Sequence, residues 1–182
     1  MPDIPDPAPA SADFGNGTAC LRQLPRARLL WLGPWPGSGV AMSDAFRNTF
    51  GTGLPQVGQV LDLPKGRCLW AGREAAILQD ADKPAGLENH GAVVDVSDGW
   101  VRFGLSGAGR AEVMARVCPV DLRASALSGP TALRSPVGHV SALIISGQPE
   151  IEVWVMRSFA RSVEEDLKHA ISTVNARQSL RV

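Results

Sequence analysis

The chain has 182 residues, 45% of them apolar, enough to bury a core as one domain or as two small lobes sharing an interface. Lysines and arginines number 18 and acidic residues 18, so no net field attracts nucleic acid or an anionic membrane, and no basic run does so locally. No apolar stretch approaches the roughly 20 residues of a bilayer span.

The acidic, proline-rich start, Met1-Pro2-Asp3-Ile4-Pro5-Asp6-Pro7, lacks the pattern of a signal peptide. Cys20, Cys68 and Cys118 are odd in number and far apart, which does not suggest a disulfide framework. A cytoplasmic location is the expectation.

Residues 1–24 are rich in Pro, Ala, Gly, Ser and Asp and offer little to bury, so they are expected to form a mobile tail. Arg28 to Leu32 reads as a first strand stopped by Gly33-Pro34, and Pro36-Gly37-Ser38-Gly39 as a loop. Ser43 is expected to cap a short helix from Asp44 to Phe50, closed by Gly51. Gln59–Leu63 and Cys68–Leu78 flank Pro64-Lys65-Gly66 and predict a hairpin, and polar residues 80–90 read as a link. Residues 25–90 would then be a first lobe and 91–182 a second.

In the second lobe, Ala92–Val96 and Trp100–Leu105 flank Ser97-Asp98-Gly99, which predicts a hairpin on an Asp-Gly turn. Ala111, Val113, Met114 and Val117 fall at mostly helical spacing, and Pro119 ends that helix. Val137–Ser146 and Ile151–Met156 read as strands around Gly147-Gln148-Pro149. Ser162-Val163-Glu164-Glu165 is a capping-box pattern that opens a last helix through Val174, with Val163, Leu167, Ala170, Ile171 and Val174 on one face. The order strand-strand-helix-strand-strand-helix predicts an α+β fold, helices on one face of an antiparallel sheet.

The chain nominates no catalytic, cofactor-binding or metal-binding residue. Gly107-Ala108-Gly109 follows a strand and opens a helix, but Glu112 stands where a dinucleotide fingerprint needs its third glycine. Gly37-Ser38-Gly39 lacks the Lys-Ser/Thr of a triphosphate loop. His90, His139 and His169 each stand alone, and no cysteine pair has zinc spacing. There is no Gly-x-Ser-x-Gly elbow, and Cys118, ending an amphipathic helix, reads as a buried thiol. Asp95 and Asp98 flank the Asp-Gly turn, and Asp98 is read as serving the turn. Trp31, Trp70, Trp100 and Trp154 lie in predicted strands and are expected in the core, whereas Trp35, between two prolines, is a candidate for partner contact.

In order along the chain, Phe50-Gly51-Thr52-Gly53-Leu54-Pro55, Leu69-Trp70-Ala71-Gly72, Asp95-Val96-Ser97-Asp98-Gly99, Cys118-Pro119-Val120-Asp121-Leu122 and Arg157-Ser158-Phe159-Ala160 resemble the gamma subunit of heterotetrameric sarcosine oxidase. The resemblance covers roughly Leu29 to Val174 and adds Arg157 and Phe159 to Trp35 as candidate partner contacts. It departs from the family after Gly72, where Arg73-Glu74-Ala75-Ala76-Ile77-Leu78 replaces the usual Pro-Asp-Glu-Trp-Leu.

The resemblance implies ferredoxin-like halves related to the folate-binding aminomethyltransferases. It also implies a complex that oxidatively demethylates sarcosine to glycine in one-carbon metabolism, releasing hydrogen peroxide. There the alpha and beta chains would hold FAD, FMN and NAD, alpha would hold tetrahydrofolate, and this chain, without a cofactor, would bind alpha beside beta and delta. The alternative is a stand-alone folate-binding protein of the same fold acting in iron-sulfur enzyme maturation. Lys65-Gly66-Arg67-Cys68-Leu69-Trp70-Ala71-Gly72-Arg73-Glu74 resembles that family's Lys-Gly-Cys-Tyr-x-Gly-Gln-Glu signature only with inserted residues.

Overall fold

The structure, a computed structural model, describes residues 19–127 and 129–179. It is mixed α and β, with two five-stranded antiparallel sheets and three α-helices. The first sheet has the order β3-β4-β5-β2-β6. Its strands are β2 (Leu29–Pro34), β3 (Val60–Asp62), β4 (Arg67–Gly72), β5 (Ala75–Gln79) and β6 (Gly91–Asp95). The second sheet has the order β1-β7-β10-β9-β8. It contains β1 (Cys20–Gln23), β7 (Trp100–Ser106), β8 (Thr131–Val137), β9 (Val140–Ser146) and β10 (Glu150–Met156). The helices are α1 (Gly39–Phe50), α2 (Arg110–Val117) and α3 (Ala160–Ser179).

The chain divides into two compact units. The unit of the first sheet comprises Arg26–Ser97 and Pro130–Leu133; the unit of the second comprises the described residues up to Pro25, Asp98–Gly129 and the chain from Arg134 onward. The expected lobes at 25–90 and 91–182 differ from these units at both ends. β6 belongs to the first sheet, and β1 belongs to the second.

In the first unit, α1 turns Met42 and Phe46 onto Leu30, Leu32, Cys68, Ala76, Leu78 and Leu87, and these form its core. The helix starts at Gly39, with Ser38 rather than Ser43 at the cap position, five residues earlier than expected. Ser43 sits inside the helix, and its hydroxyl accepts the Leu54 N–H at 3.0 Å. Gly51 closes the helix as expected, in the left-handed region at φ 74°, donating its N–H to the Arg47 carbonyl at 2.8 Å. The expected long strand Cys68–Leu78 is two strands, turned back at Arg73-Glu74, with a bulge between Trp70 and Gly72.

The expected hairpin across Asp98-Gly99 is absent. β6 pairs with β2, Leu32 opposite Val93, while β7 pairs with β1 and β10 in the other sheet. A 3-10 turn, Ser97–Gly99, carries the chain between the sheets. The Asp95 carboxylate accepts both the Ser97 N–H (2.9 Å) and its hydroxyl (2.6 Å), and Ser97 Oγ accepts the Leu29 N–H at 2.9 Å. These bonds hold the turn open where a two-residue hairpin would close.

In the second unit, Val163, Leu167, Ala170, Ile171 and Val174 of α3 are buried, as their spacing predicts. α3 packs against α2 and touches β1 and β10. It begins at Ala160, after a 3-10 turn at Arg157–Phe159, so Ser162 lies within it rather than capping it. Thr131–Val137, which the sequence left without an element before Val137, forms β8.

Residues 20–23, placed in the expected tail, form β1. Leu21 is buried opposite Leu105, and the Arg22 guanidinium grips the Glu150 carboxylate at 2.9, 3.0 and 3.2 Å. Glu150 reaches Arg22 across Gly104, where a Cβ would come within 2.3 Å of Glu150 Oε2. Residues 1–18 of that expected tail lie outside the described residues.

Candidate functional site

In the first unit, the start of α1, the chain from Leu54 to Val57 and the β4–β5 turn enclose a cleft of about 290 Å³. Its walls are mostly apolar: Leu32, Leu54, Pro55, Val57 and the half-buried Trp70. The Phe50–Pro55 motif shapes one wall. Gly51 ends α1, the Ser43 hydroxyl pins the Leu54 amide, and Leu54 packs on the α1 core. Leu69-Trp70-Ala71-Gly72 shapes the opposite side, burying Leu69 and Ala71 and directing Trp70 to the cleft through the bulge.

Among the described residues, Glu74 is the only titratable one in the lining. It is exposed and adopts φ 49° as the second residue of the two-residue turn between Gly72 and Ala75. Val57 at the cleft is 81% exposed; Trp35 and Val40, next to the lining residues Pro34 and Gly39, are 52% and 76% exposed. Sequence reasoning identified Trp35 but missed Val57, Val40 and Glu74. The departure at Arg73-Glu74 was the one signal in the sequence for Glu74.

Arg157 and Phe159 stand on the 3-10 turn that leads into α3 of the second unit. Phe159 and its neighbour Met156 are exposed, while the Arg157 Nε–H donates to the Asp98 carbonyl at 2.6 Å and ties that turn to the start of β7. Trp35 thus belongs to one unit and Arg157 and Phe159 to the other. Of the four strand tryptophans only Trp154 is fully buried, meeting Trp100 edge-on at a centroid distance of 6.4 Å. Trp31, Trp70 and Trp100 are half-buried.

The remaining sequence motifs serve the fold. Cys118 is buried against the Ser135 hydroxyl at the end of α2. Asp121 is paired with Arg123, whose guanidinium bonds hold the carboxyl at about 2. Asp95 is held below the usual carboxylate range by its bonds from Ser97. Burial pushes the Cys68 thiol up to about 12. Gly107 to Gly109 forms a strand-to-helix turn in which Arg110 donates to the Gly107 carbonyl, and Glu112 engages Arg116 and Arg177. Among the described residues, no group of three His, Cys, Asp or Glu side chains is placed to hold a metal.

The two sheets and three helices define an α+β fold. The structure is similar to a chain of the heterotetrameric sarcosine oxidase from Corynebacterium sp. U-96 in complex with pyrrole 2-carboxylate, with a TM-score of 0.73. The likeness covers 88% of this chain and 88% of that one at 24% identity, so it establishes a shared fold. No family model and no curated protein matches the sequence. Among the described residues, no helix is long and apolar enough to cross a membrane.

Proposed function

We propose that this chain is a gamma-type, non-catalytic subunit of a heterotetrameric sarcosine oxidase, supporting the oxidative demethylation of sarcosine to glycine in one-carbon metabolism. The observation that carries this reading is a fold likeness that runs over 88% of this chain and 88% of a chain of that oxidase. The sequence motifs support it in their order, and the structure gives them physical roles as caps, bulges and crossing turns.

On this reading FAD, FMN, NAD and tetrahydrofolate are held by the alpha and beta chains, and this chain binds alpha. The test is to express the chain alone and together with the alpha, beta and delta chains of its own oxidase. Visible spectra, co-purification and peroxide release from sarcosine are recorded. The expected result is a colourless, inactive chain that co-purifies with an active, yellow complex. A chain that fails to co-purify, or that binds tetrahydrofolate saturably by itself, overturns the reading; the latter result favours the stand-alone folate-binding alternative.

A further inference from the structure

We propose that the free edge of β6 is a self-association site, where a second copy of this chain adds its own β6 antiparallel about a two-fold axis through Val94. The site lies wholly in the first sheet and is independent of the subunit reading.

The ladder to β2 fixes which backbone groups of β6 look outward. The Val96 N–H donates to the Leu29 carbonyl at 2.9 Å and the Trp35 N–H to the His90 carbonyl at 3.0 Å, so Ala92 and Val94 are the bonded partners of Gly33 and Trp31. Gly91, Val93 and Asp95 therefore turn their N–H and C=O groups away from β2. Among the described residues, those groups of Val93 and Asp95 have no backbone partner. Such an edge invites another strand unless charge, proline, a bulge or shortness blunts it. The other edges are blunted: β3 is three residues long, β1 is four and carries Arg22, and β8 carries the exposed Arg134 and Pro136. β6 pairs with β2 without a bulge and has no proline, and its one charge, Asp95, is turned onto the Ser97 N–H and hydroxyl.

The sequence of the edge, Ala92-Val93-Val94-Asp95-Val96, complements itself. Ala92, Val94 and Val96 share a face, and Val94 is 49% exposed beside the half-buried Trp31. An axis through Val94 sets the outward groups of Val93 against those of Asp95 in the other copy, in both directions. It also brings Val94 onto its own counterpart and Ala92 onto Val96, so one apolar row runs from Trp31 through both Val94 side chains to the second Trp31. The two Asp95 carboxylates fall on a diagonal of about 7–8 Å, each bonded to its own Ser97.

Five residues of edge bury well under the roughly 1,200 Å² of a stable interface, so the expected dimer is reversible, with a dissociation constant on the order of 10–100 µM. Sedimentation equilibrium of the full chain across that range should show monomer passing to dimer. Val94→Lys and Val94→Glu should each melt at the parent temperature and weaken the dimer about tenfold or more, because like charges then meet on the axis. An equimolar mixture of the two should dimerise again, a rescue that self-pairing at residue 94 produces and a merely structural role does not. Mild oxidation of Val94→Cys in a Cys20→Ser background should cross-link the dimer, since directly opposed, non-hydrogen-bonded residues have Cα atoms about 4.5 Å apart. Val57→Cys, more exposed in the same unit, should stay uncoupled. A parent chain that remains monomeric throughout, a dimer that Val94→Lys leaves intact, or a mixture that is not rescued overturns the proposal. So does a Val94→Lys chain that keeps its self-association but no longer binds an alpha chain, which would give the edge to a different subunit.

Discussion

Cys68 shows how a single side chain reports the quality of a core. It is fully buried between β3 and β5, opposite Leu78, and loss of hydration raises its pKa from 9.0 to about 12, against a smaller opposing bond at Leu69. Below pH 9 the thiol is neutral in the folded and unfolded chains alike, so its full contribution to stability is present there. Above pH 9 the unfolded chain releases the proton while the folded chain keeps it, and stability falls until the folded thiol also ionises near pH 12. The slope is at most about 1.4 kcal/mol per pH unit, so about 2 kcal/mol is lost between pH 9 and 10.5. Urea unfolding should show this loss in the parent and a correspondingly smaller one in Cys68→Ala. At pH 8 a thiol reagent should modify the half-exposed Cys20 quickly and leave Cys68 untouched; rapid modification of Cys68 in the folded chain would show that the core is open.

At the scale of elements, local signals succeeded where one segment carries its own periodicity. The apolar face of α3, the Gly51 cap and the end of α2 at Cys118 were all legible, because each depends on residues within a turn or two. The misses have a common cause in pairing partners far away in sequence. β6 and β7 have the composition and spacing of a hairpin, yet β6 is claimed by β2, some 60 residues earlier, and β7 by β1 and β10. β1 was overlooked because four residues, Cys20–Gln23, carry only one large apolar side chain, and their polarity resembles that of the segment before them. Leu21 is nevertheless fully buried, and a buried Leu→Ala change costs about 2–5 kcal/mol. At roughly 2–4 °C per kcal/mol for a chain of this size, Leu21→Ala should lower the melting temperature by about 5–15 °C. An unchanged melting curve would mean that β1 is not part of the folded sheet. The cleft was only half legible for the same reason: Trp35 announced itself between prolines, whereas Val57 and Glu74 gain meaning only when α1 and the β4–β5 turn stand on either side of them.

For the molecule as a whole, the division into units makes a prediction that a division by sequence does not. A cut at residue 90 was the natural reading of the polar link 80–90, but it removes β6 from the sheet that holds β2 and leaves the core facing Val93 open. A cut after Ser97 keeps β2 to β6, α1 and the Asp95–Ser97 clasp in one piece, losing from that unit only the short segment Pro130–Leu133 with its bridge from Thr131 to Gln59. Fragment 26–97 should therefore retain strand and helix signals by circular dichroism and melt cooperatively, at a lower temperature than the whole chain. Fragment 26–90 should not, because a sheet that loses a strand also loses the burial that stabilised its neighbour. The remaining piece, 98–182, lacks β1 and exposes the edge of β7 where Leu21 and Arg22 belong, so it should aggregate or bind a hydrophobic dye until a peptide of residues 19–25 is supplied. Cooperative melting of 26–90 equal to that of 26–97 would show that β6 adds nothing to the first unit, and that the boundary belongs in the polar link after all.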